Sequence, residues 1–130
     1  MKIVVNICCG GFGLSREAKL KLYKLGCPHT RVETPDEFFG LMLDEGKRKE
    51  HLKRYKTPML EDGRLVVDTH RGDYKSRTCK NLIKVVEEMG KEACGRYSKL
   101  KIIEIPDDID WEVTEYDGWE TIEERPRRWG

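Results

Sequence analysis

Asn6-Ile7-Cys8-Cys9-Gly10-Gly11-Phe12-Gly13-Leu14-Ser15 decides how the rest of the chain is read. The apolar run Ile3, Val4, Val5, Ile7 leads into it, glycines crowd its middle, and an amphipathic pattern leaves it at Ser15. A buried strand over 2–9, a glycine turn and a helix N-terminus bring backbone amides and a helix dipole to one point. Such a point is a candidate anion or nucleotide site, with Gly10, Gly11 and Ser15 supplying amides and an exposed Phe12 a stacking surface. The same glycines also suit a plain strand-to-helix connection, in which they serve only positive φ.

Known phosphate loops do not match. The dinucleotide fingerprint finds glycine at 11 and 13, but its third position is Arg16. A P-loop ends in Gly-Lys-Ser/Thr, and Leu14-Ser15 has no lysine. A cysteine-phosphatase loop would need Arg16 one residue closer to Cys9.

Outward from this stretch, Ser15 is an N-cap, and Ala18, Leu22 and Leu25 form the apolar stripe of a helix that Gly26 and Pro28 stop. Thr34-Pro35-Asp36-Glu37 is a full capping box with proline in the first turn, predicting a second helix that carries Phe38, Phe39, Leu41 and Met42 into the core. Gly46 marks its break or end. The basic run over 47–56 reads as a solvated helical extension or a mobile arm. Leu65-Val66-Val67 is a short strand, and a polar loop runs from Asp68 to Arg77. Thr78 caps a third helix with the stripe Leu82, Ile83, Val85, Val86 and Met89, ended by Gly90. Leu100 to Ile105 is a strand, and Asp117-Gly118 joins two more as a hairpin. The fold class expected is α+β, residues 1–130 forming one domain: about three helices on a mixed sheet that ends in a C-terminal antiparallel hairpin.

Composition limits function. Charged residues make up 38% of the chain and apolar residues another 38%, against a usual charged share of about a quarter. Net charge is only +1, so the whole molecule is no electrostatic match for duplex nucleic acid. Any anion site must be local. The five cysteines, Cys8, Cys9, Cys27, Cys79 and Cys94, are odd in number and show no two-residue zinc or redox spacing. They read as free thiols of a cytoplasmic protein, with no metal site and no cofactor expected. The opening residues lack a signal-peptide pattern and no apolar run has membrane length, so no membrane partner is expected.

Two further clusters carry chemistry. His70-Arg71-Gly72-Asp73-Tyr74-Lys75-Ser76-Arg77 lies between a strand end and a helix start, where ligands gather in sheet-and-helix proteins. Arg71, Lys75 and Arg77 could clamp phosphates, and Tyr74 or His70 could stack on a base. His70 is also the one candidate acid or base, were the protein an enzyme. The C-terminal segment offers Tyr116, Arg125, Arg128 and Trp129, residue types that anchor interfaces; in a docked tail the arginines could hold phosphates and Tyr116 or Trp129 stack on a base.

Three stretches together resemble a group of small uncharacterised phage proteins. They are Cys8-x-Gly10-Gly11-Phe12-Gly13-Leu14-Ser15, the helix Leu82-Ile83-x-Val85-Val86-Glu87-Glu88-Met89-Gly90, and the run from Ile102 through Glu104-Ile105-Pro106-Asp107-Asp108 to Glu115-Tyr116-Asp117-Gly118. Residues 27–77 lie outside the resemblance. At the level of class alone, the chain is also similar to phage sponge proteins that sequester nucleotide immune signals, which implies an oligomer and a host-cytoplasmic location. The leading expectation is therefore an anti-defence binding protein for a small nucleotide, ADP-ribose-derived or cyclic. The alternatives are an enzyme cleaving such a nucleotide and a protein–protein inhibitor anchored by the Arg/Trp tail.

Overall fold

The computed structural model describes residues 1–126. The chain is α+β, with its strands joined in three antiparallel pairs rather than one mixed sheet. β1 (Lys2–Asn6) is buried along almost its whole length, as its β-branched run predicts. It ends at Asn6, shorter than the apolar run, because the glycine turn begins there.

Ser15 caps α1 (Arg16–Lys24), its hydroxyl oxygen accepting from the Ala18 amide at 3.1 Å. The same hydroxyl donates to the Glu92 carbonyl at 2.6 Å, tying the helix start to a distant segment. Replacing Ser15 with alanine removes both bonds, and the expected loss is about 1–2 kcal/mol in chemical denaturation. A result within error of wild type would show that solvent replaces them. Ala18 and Leu22 of the expected stripe are buried, whereas Leu25 is the exposed C-cap residue.

β2 (Thr30–Glu33) precedes α2 (Pro35–Phe39), which carries the capping box read from the sequence. The burial assigned to α2 is corrected. Gly40 at φ +56° ends it after five residues, leaving Leu41 98% exposed and Met42 at the surface. Phe38 and Phe39 are half-buried and pack edge-on against each other and against His51. His51 belongs to α3 (Glu45–Arg54), so the basic run is helical, and Gly46 lies inside that helix instead of ending one.

β3 (Leu65–Asp68) pairs with β2, Val66 opposite Val32. The strand β2 was not anticipated: Thr30-Arg31-Val32-Glu33 has a single apolar residue. A 3-10 helix over Tyr74–Thr78 occupies the end of the expected loop, and α4 (Lys80–Met89) follows. Cys79, not Thr78, is the N-cap of α4, with no side-chain capping bond; the Thr78 hydroxyl donates back to the Lys75 carbonyl instead. Leu82, Val85 and Val86 are buried against Ala18, Leu22, Phe12 and Leu14.

β4 (Leu100–Glu104) pairs with β1, Ile102 opposite Val4. β5 (Trp111–Tyr116) and β6 (Trp119–Glu124) form the C-terminal hairpin, turning at Asp117 (φ +50°) and Gly118 (φ +86°) as a type I′ turn requires. No helix among the described residues is long and apolar enough to cross a membrane.

Candidate functional site

The glycine turn is held from several sides at once. From below comes Arg77, which is fully buried with its guanidinium carbon 3.7 Å from the centroid of the Phe12 ring. That cation needs a partner, since burying an unpaired charge is costly. It has a full set: Glu120 on β6 accepts from Nη1 at 2.6 Å and Nη2 at 2.8 Å, and the carbonyls of His70, Arg71 and Val4 accept at 2.8, 3.1 and 3.3 Å. Glu120 also accepts from the Asn6 amide at 2.9 Å. The Asn6 side chain continues the network, donating to the carbonyls of Cys8 (2.6 Å) and Gly118 (2.7 Å) and accepting from the Lys99 amide (2.9 Å). Strand, hairpin and loop are thereby joined around one buried ion pair.

From the side, the segment over 95–98 closes on the turn. The Gly95 amide and the Ser98 hydroxyl both donate to the Gly13 carbonyl, at 2.9 and 2.7 Å. Tyr97 lies so close to Gly10 that a Cβ there would sit 2.0 Å from the Tyr97 carbonyl oxygen.

Above this platform lies a cleft of about 330 Å³. It is lined by Gly10 through Leu14 and, among the described residues, by five cationic ones: Lys19, Arg54, Lys56, Arg71 and Arg96. Lys19 Nζ donates to the Tyr55 carbonyl at 2.9 Å, pinning the end of α3 to α1. There the chain leaves the helix with Lys56 at φ +51°, and Tyr55 and Lys56 both line the cleft. Arg71 reaches over the turn, its Nη2 3.7 Å from where a Gly11 Cβ would be. Two arginines lie on tyrosine rings: Arg54 is 5.6 Å from the Tyr55 centroid and Arg96 is 5.1 Å from that of Tyr97. Both rings are exposed.

The cleft is electrostatically unbalanced. Burial pushes the Lys19 ammonium below its usual pKa; Asp68 opposes this, while Arg16, Arg71 and Lys56 push the same way as burial. Among the described residues Asp68 is the one carboxylate lining the cleft, and it is already committed, accepting from the His70 ring at 2.6 Å and the His70 amide at 3.2 Å. A bound anion would supply the missing negative charge.

The residues proposed from sequence divide accordingly. Gly10, Gly11, Phe12 and Arg71 meet in the cleft. The exposed stacking role of Phe12 is corrected: its ring is buried under Arg77. Arg77 is likewise no phosphate clamp, because its donors are spent on Glu120 and on carbonyls. Ser15 is a buried cap, and His70 is buried with both ring nitrogens directed into the protein. Tyr74 and Lys75 are exposed outside the cleft, Tyr74 donating to Glu115 at 3.2 Å. Tyr116 is 86% exposed on the hairpin tip. Arg125 pairs weakly with Glu112 at 3.6 Å and Asp110 at 3.9 Å, also away from the cleft. Arg128 and Trp129 lie outside the described residues.

Sequence reading missed Lys19, Arg54, Tyr55, Lys56, Arg96 and Tyr97. Arg54-Tyr55 and Arg96-Tyr97 repeat one dipeptide in two stretches to which no binding role was assigned. That repetition was the available signal. No protein-family model, curated protein or solved structure matches the chain, so function rests on the geometry of this cleft.

Proposed function

We propose that the protein binds a small nucleotide in this cleft and holds it without turning it over. The observation that carries the reading is the convergence of five cationic side chains and two exposed tyrosines on a glycine floor. Phosphate would sit among Arg71, Arg96 and Lys56, where charge-assisted hydrogen bonds contribute about 1.5–3 kcal/mol each before solvent screening. Tyr55 and Tyr97 offer ring faces to a base. Binding is favoured over cleavage because, among the described residues, no histidine lines the cleft and its carboxylate is engaged with His70. Withdrawal of a nucleotide immune signal, ADP-ribose-derived or cyclic, is the biological form this reading takes.

Isothermal titration with ADP-ribose, a cyclic dinucleotide, ADP and inorganic phosphate tests it. At least one nucleotide should bind more tightly than phosphate and be recovered intact after the protein is denatured. Recovery of an altered nucleotide would replace sequestration with catalysis.

A further inference from the structure

Three side chains far apart in sequence meet behind the cleft wall. Cys27 follows α1, His70 follows β3, and Cys79 is the N-cap of α4. Their donor atoms all lie within 4.8 Å of one another. Cys27 Sγ is 3.7 Å from Cys79 Sγ and 3.9 Å from His70 Nε2. Cys27 and His70 are buried and Cys79 is half-buried.

These separations have a chemical meaning. A tetrahedral zinc ion with Zn–S of about 2.3 Å holds two thiolate sulfurs about 3.8 Å apart, and with Zn–N of about 2.0–2.1 Å holds sulfur and nitrogen about 3.6 Å apart. The sulfurs are therefore spaced as two ligands of one ion, while a disulfide would need them about 2.05 Å apart. The imidazole is prepared for the same task. Asp68 Oδ1 lies 2.6 Å from His70 Nδ1, and a carboxylate can only accept, so Nδ1 carries a proton; in the neutral imidazole that a metal requires, the Nε2 lone pair is then directed at the thiols. Asp68 is itself fixed, accepting from the His70 amide at 3.2 Å and the Thr30 hydroxyl at 3.3 Å. A carboxylate on the far nitrogen of a ligating histidine is the usual outer support of a zinc site.

We infer that Cys27, His70 and Cys79 form a site for a thiophilic divalent cation of the zinc class, oriented by Asp68, with the fourth position left to water or an external ligand. A Cys79–His70 nucleophile pair would leave the second thiol unexplained, and neither thiol lines the cleft from which a substrate would approach. The ion would staple the end of α1, the end of β3 and the start of α4. Because Asp68 also lines the cleft, metal and cleft share one carboxylate. Spacing along the sequence could not point to this cluster, because its members come from three separate elements.

Cobalt(II) titration of the reduced full chain tests the inference, read by thiolate-to-metal charge transfer and by the intense visible bands of tetrahedral cobalt. One equivalent should bind and zinc should displace it. Cys79→Ser, checked for folding by circular dichroism, should lose the tetrahedral spectrum, whereas Cys9→Ser, an exposed thiol outside the cluster, should keep it. Asp68→Asn should weaken affinity about 10–100-fold with the spectrum retained, and it decides the case if Cys79→Ser does not fold. The inference is overturned if reduced protein takes up no cobalt, if Cys79→Ser or Asp68→Asn binds as wild type does, or if only an oxidised Cys27–Cys79 pair is found that accepts no metal after reduction.

Discussion

Replacing Arg77 with alanine is expected to cost about 3–5 kcal/mol of folding stability, because it leaves the Glu120 carboxylate buried without its cation. Urea denaturation followed by fluorescence and circular dichroism measures the loss. Glu120→Ala should cost a similar amount, for the mirror reason. In that variant the guanidinium still reaches three carbonyls, yet its charge faces no anion. Arg77→Lys is the sharper test. It keeps the charge, but an ammonium cannot bind both Glu120 oxygens and three carbonyls while lying flat on Phe12. A lysine variant as stable as wild type would show that charge alone matters. A double-mutant cycle across Arg77 and Glu120 should give strong coupling, and additive losses would contradict the network.

Gly118→Ala carries the second large effect. A Cβ at this position would sit 2.5 Å from the Gly11 nitrogen and 2.6 Å from the Cys9 oxygen, both backbone atoms that cannot swing aside. Its φ of +86° adds strain for any L side chain. Left-handed strain of about 1–2 kcal/mol and overpacking of about 1–3 kcal/mol together predict a loss of roughly 3 kcal/mol. Gly63→Ala separates the two causes. Gly63 has φ +87° but nothing within 4 Å of its missing Cβ, so it should show the strain alone. Equal losses at the two positions would mean that the hairpin does not press on the glycine turn. The clash also displaces the cleft floor, so Gly118→Ala should weaken nucleotide binding while Gly63→Ala leaves it unchanged.

Much of the fold was legible because it is written in local chemistry. Ser15, the Thr34–Glu37 box, the stripe from Leu82 to Met89 and Asp117-Gly118 each specify their structure through neighbours a few residues away. β2 was missed because Arg31 and Glu33 hide a strand whose pairing comes from β3. Leu41 and Met42 were given to the core because hydrophobicity was read without the stop at Gly40. The site was harder to read for the same reason on a larger scale. Arg71 and Arg77 belong to one cationic loop, yet one lines the cleft and the other is buried against Glu120, forty-three positions on. Nothing local to Arg77 distinguishes a phosphate clamp from a structural ion pair. Lys19 lies off the apolar stripe of α1, and nothing near it in sequence shows that the end of α3 packs over it. The cysteines are free thiols, as read from the sequence, but the approach of Cys27 to Cys79 was not legible because they meet only through tertiary packing.

The cationic cleft over the glycine turn is the centre of this account, and calorimetry on one pair of variants tests it most directly. Arg71→Ala and Arg96→Ala change exposed arginines in the cleft walls, so both should fold normally. Each should weaken nucleotide binding about tenfold or more, corresponding to at least about 1.4 kcal/mol, and added salt should weaken wild-type binding further. Lys75→Ala, a cation of the same loop outside the cleft, should bind as wild type does. Absence of binding to every nucleotide tested, or equal affinity in all three variants and the wild type, would contradict the assignment of the cleft.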